Sequence, residues 1–298
     1  MKIRRSIPEQ IFNVFNIMFL GLFAFICIYP FWYVMVGSVS SGPLARFAYF
    51  WPTGFTLITY EQIFANPDIW RAIFISVART VIGTFLTVFF TSMLAYLCTK
   101  QKMYFRRFVY RFFIITMYFQ AGLIPWYITM SAYGLQNNFL LYVIPGTINA
   151  FFLILVKTFI ESVPSSIEES AEIDGAGFFR IYIVIMLPLI KPILATIAVF
   201  ASVGQWSTWQ DNFFLVTDRS LMTLQLMLFN YLQQAQTLAN AMRQATAATA
   251  GAGVERVLIS PENVRMAMVV VTVLPIMLVY PFLQRYFTKG IMLGAVKG

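Results

Sequence analysis

Four of the chain's acidic side chains lie within seven residues, at Glu168, Glu169, Glu172 and Asp174. Clustered carboxylates are what a membrane enzyme would use to hold a metal ion and a sugar nucleotide, and they also suit electrostatic contact with a partner protein. The sequence contains no histidine, so His-ligated metals and His-based catalysis are excluded. Because no nucleophile–base pair is plausible either, no residue is predicted to be catalytic and no metal site is predicted.

A second polar group lies in the stretch QWSTWQDNFF, residues 205–214. Sugar-binding sites place aromatic faces against C–H surfaces and use amide or carboxylate groups for hydroxyls. The residues of this type here are Gln205, Trp206, Trp209, Gln210, Asp211 and Asn212. They are the candidate substrate path, and the alternative is that the tryptophans only anchor the chain at a membrane interface.

The composition indicates what class of protein carries these groups. Of 298 residues, 59% are hydrophobic and only 11% are charged, whereas a soluble domain carries about a quarter charged residues. The chain is therefore predicted to be an all-α membrane protein. Both cysteines, Cys27 and Cys98, lie in apolar runs and are predicted to be buried thiols. No G-x4-G-K-[ST] motif occurs, so the chain itself is not expected to hydrolyse ATP.

A transmembrane helix needs about 20 mostly apolar residues, and six segments qualify. They are 11–36, 72–98, 108–130, 138–160, 191–213 and 266–287, within one transmembrane domain covering 1–298. The fifth span starts at Lys191 because a lysine at the bilayer centre would be costly, and Pro192 then occupies the first turn. Thr80, Thr84, Thr87 and Thr91 recur at helical spacing and are predicted to pack against neighbouring helices.

The distribution of positive charge predicts the orientation. Of 21 Lys and Arg residues, fourteen fall in the terminal segments and in the loops after spans two and four, and seven fall on the other side. Positive residues favour the cytoplasmic side. Both termini and the acidic segment are therefore predicted to be cytoplasmic, and the net charge of +9 reflects topology and not nucleic-acid binding.

The acidic segment belongs to a loop, 161–190, with clear local signals. Two overlapping capping boxes, Ser165-x-x-Glu168 and Ser166-x-x-Glu169, predict a helix over 165–174. Asp174-Gly175 is a turn signal, and a second short helix is expected over 177–187, before Pro188. Ile167, Ala171 and Ile173 would be its apolar contacts. Such a short helix is marginal in water, so it either docks on something or is an ordinary solvated loop.

The spacing in this loop resembles the E-A-A-x3-G-x9-I-x-L-P signature of ABC importer permeases, with Ser170 in place of the first alanine. The resemblance implies that the loop forms coupling helices that sit in a cleft of an ATPase subunit. The residues it assigns to coupling are Glu168, Glu169, Ser170, Ala171, Asp174, Gly175, Gly177, Leu187 and Pro188.

The resemblance extends along nearly the whole chain. The stretches YPFWYVMVGSVSS (29–41), LPLIKPILAT (187–196) and YFTKGIMLGAVKG (286–298) are similar to maltose-transporter (MalG-like) carbohydrate permeases, in the multiple-sugar or polysaccharide-fragment (LplC-like) branch. This implies a MetI-like type I importer fold with six transmembrane helices and a cytoplasmic coupling loop. It also implies an oligosaccharide substrate, with acidic plant and algal fragments among those carried in the branch.

The resemblance further implies partners in a bacterial cytoplasmic (inner) membrane: a second homologous permease, two ATP-binding subunits that hold ATP and Mg, an extracytoplasmic sugar-binding protein, and lipid. No nucleic acid is expected, and this chain needs no cofactor of its own. The insertion 214–265 would contact the binding protein. Apolar residues in an exposed tail would lose favourable burial, so the tail is expected to pack against the ATPases through a segment that includes Lys289, Gly290, Gly294 and Lys297.

Other classes remain possible from the residues alone. An importer permease for a non-sugar solute would share the same coupling loop. A polytopic enzyme such as a glycosyltransferase would need clustered acids for a metal and a sugar nucleotide, but the only acidic cluster lies in the coupling loop. A secondary transporter would show internal repeats or intramembrane carboxylates, and neither is visible in the sequence.

Overall fold

The protein is seen in a computed structural model that describes residues 7–41, 50–234, 237 and 261–295. Within those residues the regular secondary structure is helical, apart from one isolated bridge between Ser40 and Phe55. The predicted all-α class is therefore confirmed for the described part of the chain.

The helices are numbered here in chain order. They are α1 Ile7–Ser38, α2 Ile58–Ala65, α3 Pro67–Thr99, α4 Arg106–Thr116, α5 Leu123–Ala132, α6 Leu140–Val143, α7 Ala150–Glu161, α8 Ser166–Ile173, α9 Phe178–Arg180, α10 Leu187–Leu189, α11 Lys191–Ser207, α12 Gln210–Leu215, α13 224–234 and α14 Pro261–Ala295. A π-helical turn, Ile181–Met186, joins α9 to α10, and a short 3₁₀ turn covers Arg219–Leu221.

The chain divides into two compact units. The first contains residues 1–66 and 228–273. The most apolar 18-residue window of its α1 has a mean hydropathy of 2.4, and none of that window is buried. The helix continues through Pro30. Near the end of α1, Tyr60 Oη donates to Ser38 Oγ at 2.7 Å, and Asn263 Nδ2 donates to the Ser40 carbonyl at 2.6 Å. These polar contacts fix the segment that follows α1.

The second unit contains residues 67–227 and 274–298 and is organised around α3. This 33-residue helix packs against α7 and α11, and the three helices share one hydrophobic core. Leu153 and Val156 of α7 and Ile197 of α11 are fully buried in it. Ile181, Tyr182 and Met186 belong to the same core, so the segment that follows the acidic helix packs onto the bundle.

The threonines of α3 do pack against a neighbouring segment. Thr87 Oγ1 donates to the Gly146 carbonyl at 2.9 Å, and Thr91 Oγ1 donates to the Thr147 carbonyl at 3.3 Å. Thr80 Oγ1 instead bonds within its own helix, to the Ser76 carbonyl. The hydroxyl of Thr84 is buried without a hydrogen-bond partner. The predicted packing role is thus confirmed for Thr87 and Thr91.

Three helical stretches of the described chain are long and apolar enough to cross a membrane: Ile7–Ser38, Pro67–Thr99 and Glu262–Val279. Two bent pairs pass the same test jointly, α7 with α8 at 78°, and Phe178–Leu189 with α11 at 82°. The described helices therefore give three spans, or up to five if each bent pair is one span. The six spans proposed from the sequence remain a prediction.

Breaks in the backbone explain why three predicted segments are not single helices. Between α4 and α5 the chain passes through Gly122, whose φ is +85°. Pro145-Gly146 separates α6 from α7, since proline cannot continue a helix and glycine favours turns. Thr208 is extended, with ψ 130°, and separates α11 from α12. A helix, α11, does begin at Lys191 with Pro192 in its first turn, whereas the membrane boundary placed there remains a prediction.

The predicted helix–turn–helix in the acidic loop is confirmed, with two differences. Ser165 makes no capping hydrogen bond, and Ser170 Oγ donates to the Ser166 carbonyl instead. Neither capping box forms, since Ser165 already has helical φ and ψ and the Glu169 N–H donates to the Ser165 carbonyl. The Glu168 carboxylate binds Lys100, which lies just beyond the end of α3. The second helical segment also continues past Pro188, which follows a π-helical turn and so lies where the α-helical hydrogen-bond ladder is already interrupted.

Within the insertion 214–265, the end of α12, the 3₁₀ turn and α13 are described. Ser260-Pro261 is typical of a helix start, with proline at the first position, and α14 begins at Pro261. Residues 245–253, whose small side chains predict a loop tip, and Ser260 lie outside the described residues.

Candidate functional site

A polar cavity of about 320 Å³ lies inside the second unit. It is lined by Arg79, Thr87, Trp126, Leu141, Tyr142, Pro145, Gly146, Asn149, Phe152, Phe200, Ala201, Gly204, Gln205, Thr208 and Asp211. Helix α3 supplies one wall, α11 and the start of α12 supply another, and the segment around the Pro145-Gly146 break closes a third. The volume is at the lower end of the range for small-molecule sites.

Arg79 and Asp211 form a buried, two-pronged ion pair on the cavity wall. Arg79 Nη2 donates to Asp211 Oδ2 at 2.6 Å, and Nη1 donates to Oδ1 at 3.0 Å. Nη1 also donates to the Thr208 carbonyl at 3.2 Å, and Nε donates to Gln205 Oε1 at 3.1 Å. The guanidinium therefore binds the carbonyl at the α11–α12 break and the first turn of α12, and so fixes that break against α3.

Asn212 is fully buried and continues this network away from the cavity. Its Nδ2 donates to Tyr142 Oη at 2.7 Å, and its Oδ1 accepts from the backbone N–H and the hydroxyl of Thr223. Tyr142 in turn donates to the Leu221 carbonyl at 2.7 Å and packs its ring 4.8 Å from the Arg79 guanidinium carbon. These contacts support a structural role for Asn212.

Two amide groups at the cavity keep unused donors. Gln205 gives its Oε1 to Arg79, and Asn149 gives its Oδ1 to the Phe152 N–H as the cap of α7. Neither Gln205 Nε2 nor Asn149 Nδ2 has a partner among the described residues. Gly83 makes room for the glutamine, because a Cβ there would lie 2.6 Å from Gln205 Nε2. The cavity thus combines free amide donors with aromatic rings.

The other predicted path residues lie elsewhere. Trp206 is 7% exposed and lines a separate apolar groove with Val77, Val81 and Ile276 among others. The Trp209 ring packs edge-on against Phe213 at 5.7 Å, and Gln210 is exposed. Of the six candidates, the polar cavity therefore brings together Gln205 and Asp211. Sequence reasoning missed Arg79, Tyr142 and Asn149.

The acidic segment forms a second candidate site. Glu168 and Glu172, one turn apart on α8, form ion pairs with Lys100 and Lys102 just beyond the end of α3. The Lys100–Glu168 pair is mostly buried, with the side chains 13% and 19% exposed, whereas Lys102 and Glu172 are 70% and 40% exposed. These contacts turn one face of α8 toward the bundle.

The opposite face of α8 is open. Glu169, Ser170 and Asp174 are exposed, and Ile173 is 86% exposed. Ile173 is therefore not an internal apolar contact, whereas Ala171 is buried in the core. The exposed part of α8 therefore combines one apolar side chain with carboxylates.

Gly175 ends this helix in the left-handed region, with φ +78°, as predicted for a residue that a side chain would disfavour. Among the described residues no atom lies within 4 Å of a Cβ built there, so the requirement for glycine is conformational and not steric. Gly177 has an extended backbone and precedes α9. Leu187 and Pro188 lie in α10, with Leu187 against the core and Pro188 exposed.

Three of the predicted tail residues, Lys289, Gly290 and Gly294, are part of helix α14. Lys297 lies outside the described residues.

Comparison with known proteins identifies the family. The chain is 35% identical to protein LplC of Bacillus subtilis over 97% of this chain and 96% of that protein. It is 34% identical to the polygalacturonan/rhamnogalacturonan transport system permease protein YtcP of the same organism, over 97% and 99%. It is 23% identical to the B. subtilis melibiose/raffinose/stachyose import permease protein MelC, over 90% and 91%.

A solved structure agrees with these relatives. The fold is similar to that of a chain of a bacterial ABC transporter involved in the import of the acidic polysaccharide alginate, with a TM-score of 0.84 and 28% identity over 96% of this chain and 100% of that one. No family model matches the sequence. Permease relatives above 30% identity over nearly the whole length show that the chain belongs to the family of multi-pass permease subunits of carbohydrate ABC importers.

Proposed function

We propose that this permease carries oligosaccharides, including fragments of plant or algal polysaccharides, into the cytoplasm. The observation that carries the proposal is the polar cavity, which offers amide donors and aromatic rings inside an otherwise apolar helix bundle. Hydroxyl and ring oxygens of a sugar accept hydrogen bonds from such amides. The names of the polygalacturonan and melibiose permeases and of the alginate importer support the same substrate class.

The working importer would contain more than this chain. A second, related permease would complete the path, two ATP-binding subunits would hold ATP and Mg, and an extracytoplasmic binding protein would deliver the sugar. Both termini and α8 would face the cytoplasm. The assignment of α8 to the coupling site rests on the E-A-A-like spacing and on the exposed face that carries Glu169, Ile173 and Asp174.

Coupling would follow from the shape of the loop. Closure of the ATPase dimer would push on the exposed face of α8, and the left-handed turn at Gly175 would keep α8 at a fixed angle to the segment that packs on the bundle. Rigid-body movement of the helices around the cavity would then expose it outward. The chain supplies no ATP chemistry of its own in this scheme.

The residues at the cavity have different proposed roles, which follow from the contacts that each already makes. Gln205 and Asn149 would bind sugar oxygens through their unused amide donors, and the aromatic lining would cover apolar sugar faces. Arg79 and Asp211 would hold the wall in place, since four of the five guanidinium donors are already occupied. Trp206, Trp209 and Gln210 would contribute only if the path extends beyond this cavity.

The test is binding-protein-dependent uptake of labelled oligosaccharides by the complete importer in proteoliposomes. Asn149→Asp keeps the oxygen that caps α7 and removes the free donor, so it should raise the KM for uptake at unchanged abundance. Asn137→Asp is the matched control, because Asn137 is an exposed loop residue whose Oδ1 likewise accepts from backbone N–H groups. Equal KM values in the two variants would place the sugar path outside this cavity, and an importer that carries no oligosaccharide would overturn the substrate class.

A further inference from the structure

One helix, α3, connects the acidic helix α8 with the polar cavity. Helix α3 is continuous over 33 residues. Its cytoplasmic end is followed at once by Lys100, whose ammonium binds Glu168 of α8 and lies 4.2 Å from the centre of the Tyr96 ring. Roughly 30 Å away along the same helix axis, Arg79 holds the wall of the polar cavity.

Helix α8 depends on this contact for its orientation. It has only eight residues, too few to be stable as an isolated helix, and among its side chains Ala171 is the one buried in the core. Glu168 and Glu172 are spaced by four residues and so lie on one face, which is the face that meets Lys100 and Lys102. The ion pairs therefore decide which face of α8 remains outside.

The neighbouring contacts make the attachment rigid. Tyr182, in the π-helical turn beyond α8, lies 2.8 Å from Ser92 Oγ through its hydroxyl and packs its ring 5.4 Å from Tyr96. Arg106 of α4 donates to the Thr99 carbonyl at 3.0 Å and so closes the last turn of α3. A movement of α8 is thus transferred to the end of α3 and not absorbed by a flexible linker.

We propose that Lys100 and Glu168, supported by the more exposed Lys102–Glu172 pair, are positioning residues that fasten the coupling helix to α3 and so transmit its movement to the polar cavity. The proposal rests on the proposed function in needing an ATPase partner. It divides the acidic cluster into two groups: Glu168 and Glu172 act within the chain, whereas Glu169 and Asp174 remain available to the partner.

The test is a charge-reversal cycle in the complete importer, with Lys100→Glu, Glu168→Lys and the double variant. Each single reversal places like charges face to face in a mostly buried position, and transport per ATP hydrolysed should fall about fivefold or more, the lower bound of a typical coupling. The double variant restores the attraction and should recover transport per ATP above either single variant. The amount of ATPase that copurifies with the permease reports assembly separately.

The Lys157–Glu161 pair is the matched control, because it joins two residues of α7 and does not connect α8 to α3. Its Glu161→Lys reversal should leave transport per ATP near the wild-type value. If Glu168→Lys fails and Lys100→Glu does not rescue it, Glu168 contacts the ATPase directly and the proposal is wrong. Normal coupling in both single variants would also overturn it, whereas a wild-type importer without sugar-stimulated ATP hydrolysis would overturn the proposed function instead.

Discussion

At the scale of single residues, Arg79 shows how this fold tolerates a charge inside an apolar helix. Its side chain is 4% exposed and that of Asp211 is 11% exposed, which makes theirs the least exposed ion pair among the described residues. Such a pair adds little net stability, because desolvation of two charges offsets their attraction. Losing one partner is different, because the remaining charge is left buried and unpaired.

We therefore expect Arg79→Gln to destabilise the second unit by about 3–5 kcal/mol. Arg71→Gln is the matched control, since Arg71 lies on the same helix in an exposed pair with Asp68, and it should cost about 1 kcal/mol or less. Thermal unfolding in detergent can be followed by thiol labelling of Cys98, which is 1% exposed, in a Cys27→Ser background. Equal unfolding temperatures for the two variants would contradict the structural role of the pair.

Sequence analysis identified one member of this ion pair, Asp211, as a candidate functional residue. Asp211 was recognised as a candidate because it lies in a polar cluster, whereas Arg79 was counted as a loop charge in deducing the orientation. The two residues are 132 positions apart, and no local pattern links them. The signal that could have found Arg79 is the cost of placing an arginine inside an apolar run, because such a charge requires a partner. Asp211, in the QWSTWQDN cluster, is that partner.

At the scale of elements, helix α3 carries one buried threonine hydroxyl that is hydrogen-bonded and another that is not. Thr87 bonds the Gly146 carbonyl beside the helix break, whereas the Thr84 hydroxyl is buried without a partner. Replacing threonine by valine preserves shape but removes the hydroxyl, so the two sites should respond in opposite directions.

Thr87→Val should lower the free energy of unfolding by about 0.5–1.5 kcal/mol, because it removes the hydrogen bond from the buried Thr87 hydroxyl to the Gly146 carbonyl. Thr84→Val should be neutral or slightly stabilising, because it removes a polar group that has no bond to lose. The Cys98 labelling assay measures both. A larger loss for Thr84→Val than for Thr87→Val would show that the hydrogen-bonding pattern assigned to α3 is wrong.

Gly175 gives a second prediction at this scale. Its positive φ costs an ordinary residue about 1–2 kcal/mol, and asparagine tolerates the conformation better than valine. We expect Gly175→Val to assemble poorly with the ATPases or to lose sugar-stimulated ATP hydrolysis, and Gly175→Asn to retain most of both. Because no atom of the described residues lies within 4 Å of a Cβ built on Gly175, equal loss in both variants would point to steric contact with the partner and not to backbone strain.

The elements with strong local signals were predicted well. The Asp174-Gly175 turn, the start of α11 at Lys191 and the start of α14 at Pro261 all follow from residues whose backbone preferences are strict. The breaks at Gly122, at Pro145-Gly146 and at Thr208 were missed, because hydrophobicity averaged over a span-length window does not register two or three extended residues. The cavity forms at two of these breaks, so the missed features and the candidate site coincide.

At the scale of the whole molecule, large apolar surfaces stay uncovered among the described residues. The apolar window of α1 is not buried at all, and that of α3 is only 28% buried. Lipid covers such surfaces in a permease, and in this family part of them would face the second permease. The polar cavity is small for an oligosaccharide, so we expect the complete path to be shared between the two permeases.

The end of the chain provides the last prediction. Helix α14 extends to Ala295, so the predicted tail contact, 289–298, begins as a continuation of that helix and not as a separate segment. Truncation after Thr288 removes about two helical turns. It also removes apolar residues, whose exposure to water would be unfavourable unless a partner covers them. The truncated chain should still insert in the membrane, but it should copurify with less ATPase or hydrolyse ATP without control by sugar. Replacing 289–298 by a Gly/Ser segment of equal length separates the effect of sequence from that of length. Wild-type transport and ATPase regulation in the truncated chain would show that the tail is a dispensable end, as most chain termini are.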